Sequence, residues 1–471
     1  MPIEPARIIP ELPAKGNCRR PGFDAGVTLR QTAAMAGSDI FAPGFKTTPF
    51  WWEAAAPSAV EPPPLPEATE VAIVGGGYAG LSAALELQRQ GVDCTVFEAE
   101  ELGYGASSRN GGMVSGGINL AKGKELAELL GAERAQALLD EASSSYTHLE
   151  TLIEREAIDC DYRRSGRFVG AHSRRHYAEL EDRAERIART TGQRIEMVPE
   201  AHQHEEIASD YYRGGMLVHR AGGLHPGKLH RGLVAACRRA GVRLFSHTPV
   251  TALAGSHGSF AVTTAQGRVR AREIVIATNG YTGKLTPWFR RRVIPVASYI
   301  IATEELDADR ARALIPKGRV IADTKRVLYY YRLSPDGRRL LFGGRASFRS
   351  VDAVSAAPRL HGYMLGVFPQ LKDIRISHAW NGNVAFTFDL LPHIGTAQGM
   401  HYCMGCNGSG VVMNTYLGHQ VALKILGKSN RPSAFDGLKF PSNPLYYGRP
   451  WFLPMVGTWY RLRDRIDRWL D

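Results

Sequence analysis

A glycine-rich turn between two short apolar runs constrains the fold of this chain more than any other feature. Residues 71–74 are wholly apolar and rich in β-branched side chains, and Glu98 closes the next apolar run. The turn after the first run carries a GxGxxG pattern made by Gly75, Gly77 and Gly80. In such a pattern the first glycine permits the turn, the second lets backbone N–H groups reach a pyrophosphate, and the third lets helix and strand pack closely. The spacing predicts a βαβ unit over residues 70–98.

The acidic residue after the second run supports a dinucleotide ligand for this unit. The N-terminus of the intervening helix offers N–H donors and the positive end of a dipole to a pyrophosphate. The Glu98 carboxylate can accept from both hydroxyls of a ribose, and it would repel a 2′-phosphate. A glycine-rich turn without any ligand is the alternative, but the order of strand, turn, helix and strand favours dinucleotide binding. NAD and FAD share this fingerprint, so the pattern alone leaves that choice open.

The composition sets the class of protein and excludes several functions. Of 471 residues 44% are hydrophobic and 22% are charged, as in an ordinary globular protein rather than a disordered or fibrous one. The net charge is +12, yet the sequence has no basic run or RNA-binding signature, and the arginine triplet at 290–292 is typical of a solvated turn. We therefore expect no nucleic-acid partner. An anionic substrate or a phosphate-bearing cofactor explains the surplus of positive charge.

The cysteines and the hydropathy pattern indicate the compartment. Six scattered cysteines predict a reducing environment rather than a disulfide framework. Cys403 and Cys406 form a CxxC, but no second cysteine pair or HxxxH lies nearby in sequence, so we predict no metal site. No run of 18 apolar residues occurs, and the N-terminus lacks the pattern of a signal peptide. These observations predict a soluble, cytoplasmic protein.

The remaining patterns predict a second, antiparallel unit. Residues 1–69 indicate an extended arm with an aromatic cluster and a stiff proline linker, so regular structure should begin near Glu70. Residues 293–345 predict antiparallel strands joined by a tight hairpin. Buried runs at 242–246 and 273–277 predict strands that return to the first sheet. The chain should therefore form a nucleotide-binding domain that a substrate domain interrupts twice.

Seven stretches of the chain, taken in order, resemble the signature stretches of one group of flavoenzymes. They are VAIVGGGYAGLSAALELQRQG (71–91), EAEELGYGASSRNGG (98–112), GGLHPGKL (222–229), EIVIATNGYTG (273–283), YYYRLSPDGRRLLFGGR (329–345), WNGNVAFTFDLLPHIG (380–395) and GCNGSGVVMNTYLG (405–418). Through them the sequence resembles the D-amino-acid oxidase superfamily of FAD-dependent oxidoreductases, especially its glycine oxidase, sarcosine oxidase and γ-glutamylputrescine oxidase-like members. The resemblance runs from about Glu70 to Leu426.

The resemblance implies an α/β (α+β) fold of two domains, of the glutathione-reductase and D-amino-acid-oxidase type. A Rossmann-type FAD-binding domain would carry a substrate domain built on an antiparallel sheet. The predicted bounds are 1–69 for the N-terminal arm and linker, 70–155, 221–292 and 376–430 for the three parts of the FAD-binding domain, 156–220 and 293–375 for the two parts of the substrate domain, and 431–471 for a C-terminal tail helix.

The same resemblance implies FAD bound non-covalently and assigns residues to it. Glu98 would hold the adenosine ribose, Val250 would meet the adenine through its backbone, and the turn 408–411 would point a helix N-terminus at the pyrimidine edge of the flavin. Relatives that bind flavin covalently use a cysteine in the stretch matching 380–389 or a histidine in 103–120, and this chain has neither. The predicted FAD-binding residues are Gly75, Gly77, Ala79, Gly80, Glu98, Gly105, Ala106, Ser107, Arg109, Asn110, Gly111, Gly112, Val250, Ala277, Thr278, Gly280, Gly408, Ser409, Gly410 and Val411.

Five residues are candidates for contact with the substrate. Arg332 lies where glycine and D-amino-acid oxidases resemble one another in carrying a carboxylate-binding arginine, and its planar fork suits a bidentate clamp. An exposed hairpin arginine is the alternative. Tyr330 alternates with Arg332 on one strand face, and Arg345 is a second candidate clamp. Tyr299 and Trp380 are candidate walls of the pocket, although aromatic residues in strands are also common in cores.

The resemblance also implies the reaction. Hydride would pass from the carbon next to a substrate nitrogen to flavin N5, giving an imine that hydrolyses, and O2 would accept the electrons and yield hydrogen peroxide. The expected substrate is a small carboxylate-bearing primary or secondary amine: an N-substituted amino acid, an iminodicarboxylate or a γ-glutamyl polyamine. One alternative is a dehydrogenase that passes electrons to a quinone or carrier. Another is a non-catalytic flavin-holding subunit of an assembly. The oligomeric state stays open.

The last segment, 451–471, predicts an amphipathic helix. Trp459, Leu462, Ile466, Trp469 and Leu470 share one face at helical spacing, with four arginines opposite. A membrane-surface helix is one interpretation. Three aspartates nearly cancel the arginines, which favours docking on the protein's own body or on another subunit.

Overall fold

The computed structural model describes residues 40–58, 62–115, 126–349, 351–428 and 432–471. Its strands are β1 Phe41–Lys46, β2 Ala68–Val74, β3 Cys94–Phe97, β4 Met113–Ser115, β5 Arg167–Gly170, β6 Ile195–Val198, β7 Gly215–Val218, β8 Ala221–Gly223, β9 Arg243–Phe245, β10 Ala252–Ser256, β11 Ser259–Thr264, β12 Gly267–Ile276, β13 Ile294–Thr303, β14 Val320–Asp323, β15 Tyr329–Leu333, β16 Leu340–Gly344, β17 Ile376–Phe386, β18 His393–Ala397 and β19 Met400–Met404. Its helices are α1 Trp52–Ala55, α2 Tyr78–Arg89, α3 Ala106–Arg109, α4 Leu126–Leu130, α5 Ala132–Arg155, α6 Arg174–Thr191, α7 Pro226–Arg239, α8 Pro287–Arg290, α9 Ala308–Leu314, α10 Ala353–Val367, α11 Gly410–Ile425 and α12 Leu453–Trp469.

The first large sheet contains the predicted βαβ unit. Strand β2 pairs in parallel with β3, from Val71 opposite Cys94 to Val74 opposite Phe97. The order across the described sheet is β10-β11-β12-β2-β3-β9, and β19 pairs in parallel with β12. Strands β9 and β12 are the predicted returns to this sheet. Because parallel strands share one carboxyl edge, the turns after β2, β3, β12 and β19 meet at that edge.

The second large sheet is mostly antiparallel. Its order across the described residues is β1-β17-β13-β16-β15-β14-β5-β7-β6. The predicted hairpin joins β15 to β16, and its turn closes with Gly337 N–H donating to the Ser334 carbonyl over 2.8 Å at a φ of +73° for Gly337. The antiparallel strands expected in 293–345 are therefore confirmed.

Two predicted boundaries are wrong. Regular structure begins at Phe41 rather than near Glu70, because β1 pairs with β17 and α1 follows it. Strand β17 pairs with β13 in the second sheet, whereas the boundary at 376 assigned it to the FAD-binding domain. Both errors come from pairing between distant segments, which local periodicity does not reveal. The part of the predicted arm before Ile40 lies outside the described residues, and the other bounds stay predictions.

Helices α2 and α11 approach each other unusually closely. A Cβ on Gly418 of α11 would lie 2.2 Å from the Ala79 carbonyl oxygen of α2, so the helix backbones are in contact. The apolar side chains of both helices are buried in one cluster with β2 and β3. This crossing sets both helix N-termini beside the carboxyl edge of the first sheet.

The C-terminal helix α12 docks on the protein's own body, one of the two arrangements that the sequence favoured, and it does so through its acidic face. Its acidic face is turned inward: the two oxygens of Asp464 accept from the N–H groups of Arg326 and Val327 at 3.0 Å, and Asp467 pairs with the Arg326 guanidinium. Its apolar face is turned outward, with Trp469 84% exposed. Helical spacing identifies a face but not the side that is buried, and here carboxylates find donors inside. No helix in the described residues is long and apolar enough to cross a bilayer.

Candidate active site

The turn after β2 meets the steric demands of the GxGxxG pattern. Gly75 has a φ of +111°, and a Cβ there would lie 2.9 Å from the Ala277 carbonyl oxygen. A Cβ on Gly80 would lie 2.0 Å from the Gly75 carbonyl oxygen, so only glycine allows α2 to pack this close to the strand. The N-cap of α2 is Gly77, which has no side chain to satisfy the first N–H groups of the helix. That helix end can therefore donate to an anion at the carboxyl edge.

Glu98 follows β3 and is held in place by the backbone. Its Oε2 accepts from Gly76 N–H at 2.8 Å, and its Oε1 accepts from Glu100 N–H at 3.2 Å. Burial raises the pKa of this carboxyl, while the Gly76 N–H favours its ionised form. The fixed carboxylate leaves lone pairs that can accept from the hydroxyls of a ribose.

The loop after β3 is braced by two tryptophans of the N-terminal segment. Trp51 donates its indole N–H to the Asn110 carbonyl, and Trp52 donates to the Ser108 hydroxyl, both at 2.8 Å. The Arg109 guanidinium lies 4.5 Å from the ring centroid of Trp52. On the other side of the loop, the Ser107 hydroxyl accepts from Tyr78 N–H of α2 at 3.0 Å. The loop is thus tied to both α2 and the segment before the first sheet.

The turns after β12 and β19 complete the edge. The Asn279 side chain accepts from Gly405 N–H at 3.0 Å and so ties these two turns together. Helix α11 begins at Gly410, and its N-cap Ser409 makes no side-chain capping bond. A second set of helix N–H groups therefore points at the same edge.

These turns surround one cavity of about 1460 Å³. Eighteen of the twenty predicted FAD-binding residues line it. The other two, Gly80 and Gly112, lie behind the cavity wall at positions where the packing leaves no room for a side chain. A Cβ on Gly112 would lie 2.1 Å from the Leu224 carbonyl oxygen.

The cavity meets the requirements of FAD. The space is surrounded by two helix N-termini whose N-cap residues make no side-chain cap, by a fixed carboxylate and by glycines without side chains. It is larger than the roughly 300–1,000 Å³ of a typical small-ligand pocket. That volume has room for a dinucleotide and for a substrate next to it.

The part of the cavity wall formed by the second sheet and the segments next to it is called the substrate end here. Tyr330 of β15 and Arg345, directly after β16, lie in it and are two of the predicted substrate residues. Tyr330 shares a hydrogen bond of 2.9 Å with the Ser298 hydroxyl, and burial raises the pKa of Tyr330 to about 12. The Arg345 guanidinium lies 4.6 Å from the Phe386 ring centroid, and burial lowers its pKa. In the described part of the chain, the ionisable groups that act on the pKa of Arg345 are the hydroxyls of Tyr330 and Tyr460, with no carboxylate among them.

The structure places the other three predicted substrate residues outside the cavity lining. Arg332 is buried, and its Nη1 donates to the carbonyls of Gly112 and Leu224, both at 2.9 Å. The structure therefore does not favour Arg332 as a carboxylate clamp, because backbone carbonyls accept from its Nε and Nη1 and it does not line the cavity. The assignment stays a prediction. Tyr299 donates to the Val351 carbonyl at 3.1 Å, and Trp380 donates to the Arg109 carbonyl at 2.8 Å, so both belong to the supporting core.

Sequence reasoning missed several residues of the site. His230 lies beneath the glycine-rich turn, with its Nε2 2.8 Å from the Gly76 carbonyl oxygen, and burial lowers its pKa to about 4. Arg167 and Arg183 line the substrate end, and their Nε atoms have no hydrogen-bond partner in the part of the chain that the structure describes. His230 comes directly after the GGLHPGKL stretch (222–229), so that adjacent stretch is the nearest sequence signal for it. No sequence signal distinguishes these two arginines from surface ones.

Comparison with known proteins agrees with this geometry. The family described as FAD dependent oxidoreductase matches residues 70–423. The chain belongs to this family. It is 35% identical over 410 residues to the γ-glutamylputrescine oxidoreductase of Escherichia coli (strain K12), covering 84% of this chain and 93% of that one.

Solved structures of the FAD dependent oxidoreductases share the fold. Glycine oxidase from Geobacillus kaustophilus superposes with a TM-score of 0.67 at 20% identity, covering 80% of this chain and 99% of that one. Iminodiacetate oxidase from Chelativorans sp. BNC1 superposes with a TM-score of 0.63 at 18% identity, covering 79% of this chain and all of that one. The protein is accordingly an FAD-dependent oxidoreductase whose relatives act on amines and amino acids.

Proposed function

We propose that the protein oxidises the carbon–nitrogen bond of a carboxylate-bearing amine and passes the electrons to O2. The product imine is hydrolysed to a carbonyl compound, and O2 is reduced to hydrogen peroxide. The substrate class comprises N-substituted amino acids, iminodicarboxylates and γ-glutamyl polyamines. The similarity to a γ-glutamylputrescine oxidoreductase favours the last of these.

The observation that carries the proposal is a set of three arginines at the substrate end of the cavity, where the lining also includes the carboxylates of Glu179, Asp182 and Asp323. Arg345, Arg167 and Arg183 all line it. Burying a guanidinium without a counter-ion is costly, and a ligand carboxylate removes that cost. Arg345 is the strongest case, because the Asp323 carboxylate already acts on Arg167.

The chain's own residues bind, orient and desolvate the amine. FAD, when bound, supplies the two-electron acceptor for a hydride from the carbon next to nitrogen. Apolar side chains in the cavity wall, Val296, Ile300 and Phe386 among them, favour the neutral amine over the ammonium ion. No side-chain base is then required. Tyr330 keeps its proton at neutral pH because its pKa is about 12, so its hydroxyl can donate to the substrate or to Ser298.

Non-covalent binding of FAD is part of the proposal. The thiol of Cys406 lines the cavity, so attachment at a position outside the known ones has to be tested directly. Acid precipitation of the purified yellow protein should release all flavin into the supernatant. Flavin that stays in the washed pellet would contradict non-covalent binding.

The experiment that tests the function is an anaerobic amine screen followed by flavin absorbance. γ-Glutamylputrescine, putrescine, sarcosine and iminodiacetate are mixed in turn with the oxidised holoenzyme. We expect the visible flavin absorbance to fall with a carboxylate-bearing amine, and air to restore it with one hydrogen peroxide per turnover.

Two outcomes separate the alternatives. Loss of absorbance without rapid recovery in air would favour a dehydrogenase that uses a quinone or another carrier. If no amine reduces the flavin, the proposed activity is wrong, and a flavin-holding subunit becomes the better description.

A further inference from the structure

The C-terminal helix α12 exposes an apolar stripe that the proposed oxidation does not use. The stripe follows the helix at spacings of three and four residues and is called the outward stripe here. Its members are Trp451, Met455, Trp459, Leu462, Ile466, Trp469 and Leu470, with exposures of 55%, 70%, 55%, 48%, 37%, 84% and 70%. A contiguous apolar surface of this kind is unusual on a protein that works alone in water.

The charges of α12 are divided between its two sides. The carboxylates of Asp464, Asp467 and Asp471 are only 5%, 3% and 3% exposed, because Arg326 and Arg213 pair with them inside. Every carboxylate of the helix and its last residue is thus removed from the outward side.

The exposed charges beside the outward stripe are positive. Arg465 is exposed, and the Arg463 guanidinium lies 5.8 Å from the Trp459 ring centroid. At the start of the stripe, the Trp451 indole donates to the Leu445 carbonyl at 3.2 Å, and the exposed Arg449 lies between these two residues in the chain. The stripe therefore combines tryptophans, aliphatic side chains and arginines.

We propose that the outward stripe binds the surface of an anionic lipid membrane. Tryptophan and arginine are the side chains that favour the boundary between headgroups and acyl chains, and an interfacial helix buries an apolar face while basic residues meet anionic headgroups. The net charge of +12 acts in the same direction.

Charge complementarity favours a membrane over a second copy of this chain. In a two-fold symmetric contact the same surface meets itself, so Arg463 and Arg465 would face the same arginines of the other copy. The helix exposes no carboxylate that could pair with them. Anionic headgroups supply the missing negative charge.

The inner side of α12 connects this surface to the cavity. Phe452, Leu453, Val456 and Tyr460 line the cavity wall. Gly457 lets the helix approach closely, since a Cβ there would lie 2.1 Å from the Phe348 ring. One helix thus separates the membrane-binding surface from the substrate end of the site.

The test is co-sedimentation of the holoenzyme with lipid vesicles. We expect binding to vesicles of phosphatidylcholine with phosphatidylglycerol, and at least about tenfold weaker binding to phosphatidylcholine alone. Leu462→Asp should reduce binding to the anionic vesicles about tenfold or more. The double change Arg463→Gln and Arg465→Gln should reduce it about 25-fold, since each basic residue near an anionic surface contributes about fivefold.

Leu129→Asp is the matched control, because Leu129 lies on α4, away from the outward stripe in sequence, and its exposure of 53% is close to that of Leu462. Flavin absorbance and melting temperature should be unchanged in all variants, since none of the altered residues lines the cavity. Absence of binding to anionic vesicles, or equal loss with Leu129→Asp, would overturn the proposal. So would a dimer in light scattering that Leu462→Asp dissociates, because the stripe would then be an interface between copies.

Discussion

The two ends of the cavity differ in what positions their ligands. At the nucleotide end, backbone geometry positions the ligand. The binding surface there is formed by Gly75, Gly77 and Gly80 and by two helix N-termini without side-chain caps. At the substrate end, individual side chains decide, and two arginines thirteen positions apart have different roles: Arg332 holds the fold together and Arg345 faces the cavity. A backbone cradle leaves a pattern in the sequence, whereas the direction of one side chain does not. The predictions below test this contrast.

The largest effect is expected for Arg345→Met. Removing the charge that meets a substrate carboxylate should cost about 2–5 kcal/mol, or roughly 30- to several-thousand-fold in kcat/KM. The loss should be much smaller for the same amine without its carboxylate, and flavin content should stay the same. Steady-state kinetics with both amines provide the measurement.

Arg332→Met is the matched control and should behave in the opposite way. It leaves the Leu224 carbonyl without its guanidinium donor, so the free energy of unfolding should fall by about 1–3 kcal/mol, and any loss of activity should be equal for both amines. Selective loss on the carboxylate-bearing amine with Arg332→Met would reverse the assignment of the two arginines.

The nucleotide end should respond most strongly to Gly80→Ala. The new methyl group would lie 2.0 Å from a backbone oxygen, which cannot move aside as a flexible side chain can. We expect a loss of about 3 kcal/mol in unfolding free energy and little bound FAD. Gly362→Ala in α10 is the control, since nothing lies within 4 Å of that Cβ. Similar melting temperatures and flavin contents for the two variants would show that the close packing of α2 is not required.

Lowering the pH should destabilise the folded protein through His230, which lies beneath the glycine-rich turn. Burial lowers its pKa to about 4 from the ordinary value of 6.5, so the unfolded chain takes up the proton first as the pH falls. The contribution of His230 to the free energy of unfolding should therefore be fully present above pH 6.5 and be lost as the pH falls to about 4. The loss should be roughly 3 kcal/mol, at about 1.36 kcal/mol per pKa unit. Denaturant unfolding at several pH values measures it.

His230→Gln isolates the contribution of this group, because the amide can still donate to the Gly76 carbonyl but does not titrate in this range. The variant should lose part of the pH dependence that the wild type shows, while the exposed His204→Gln should keep all of it. An unchanged slope in His230→Gln would remove His230 as its source.

The smallest effect is expected for Glu98→Gln. The amide offers one acceptor oxygen in place of two, so FAD should bind about tenfold more weakly, at a cost of about 1.4 kcal/mol. Glu101→Gln, in the same loop but outside the cavity lining, should bind FAD as the wild type does. Titration of the apoprotein with FAD gives both dissociation constants. Equal affinities would mean that the carboxylate does not contact the ribose.

The sequence predicted the nucleotide end well for a physical reason. Glycines that must avoid a clash, buried parallel strands and a carboxylate at a strand end each require a residue type at a fixed spacing. The placement of β17 was missed because its partner β13 is about eighty residues away, and the pairing depends on tertiary structure. The orientation of α12 was missed because both of its faces can be buried, one by apolar packing and the other by ion pairs.

The tryptophans of the N-terminal segment have a practical consequence for protein engineering. Trp51 and Trp52 hydrogen-bond the loop after β3, yet none of the described residues before Val74 lines the cavity. A shortened chain that starts at Glu70, where the family match begins, would keep every cavity-lining side chain and lose both indole braces. Truncation at Glu70 should therefore give a protein that keeps the lining of the cavity but loses FAD by dissociation during purification.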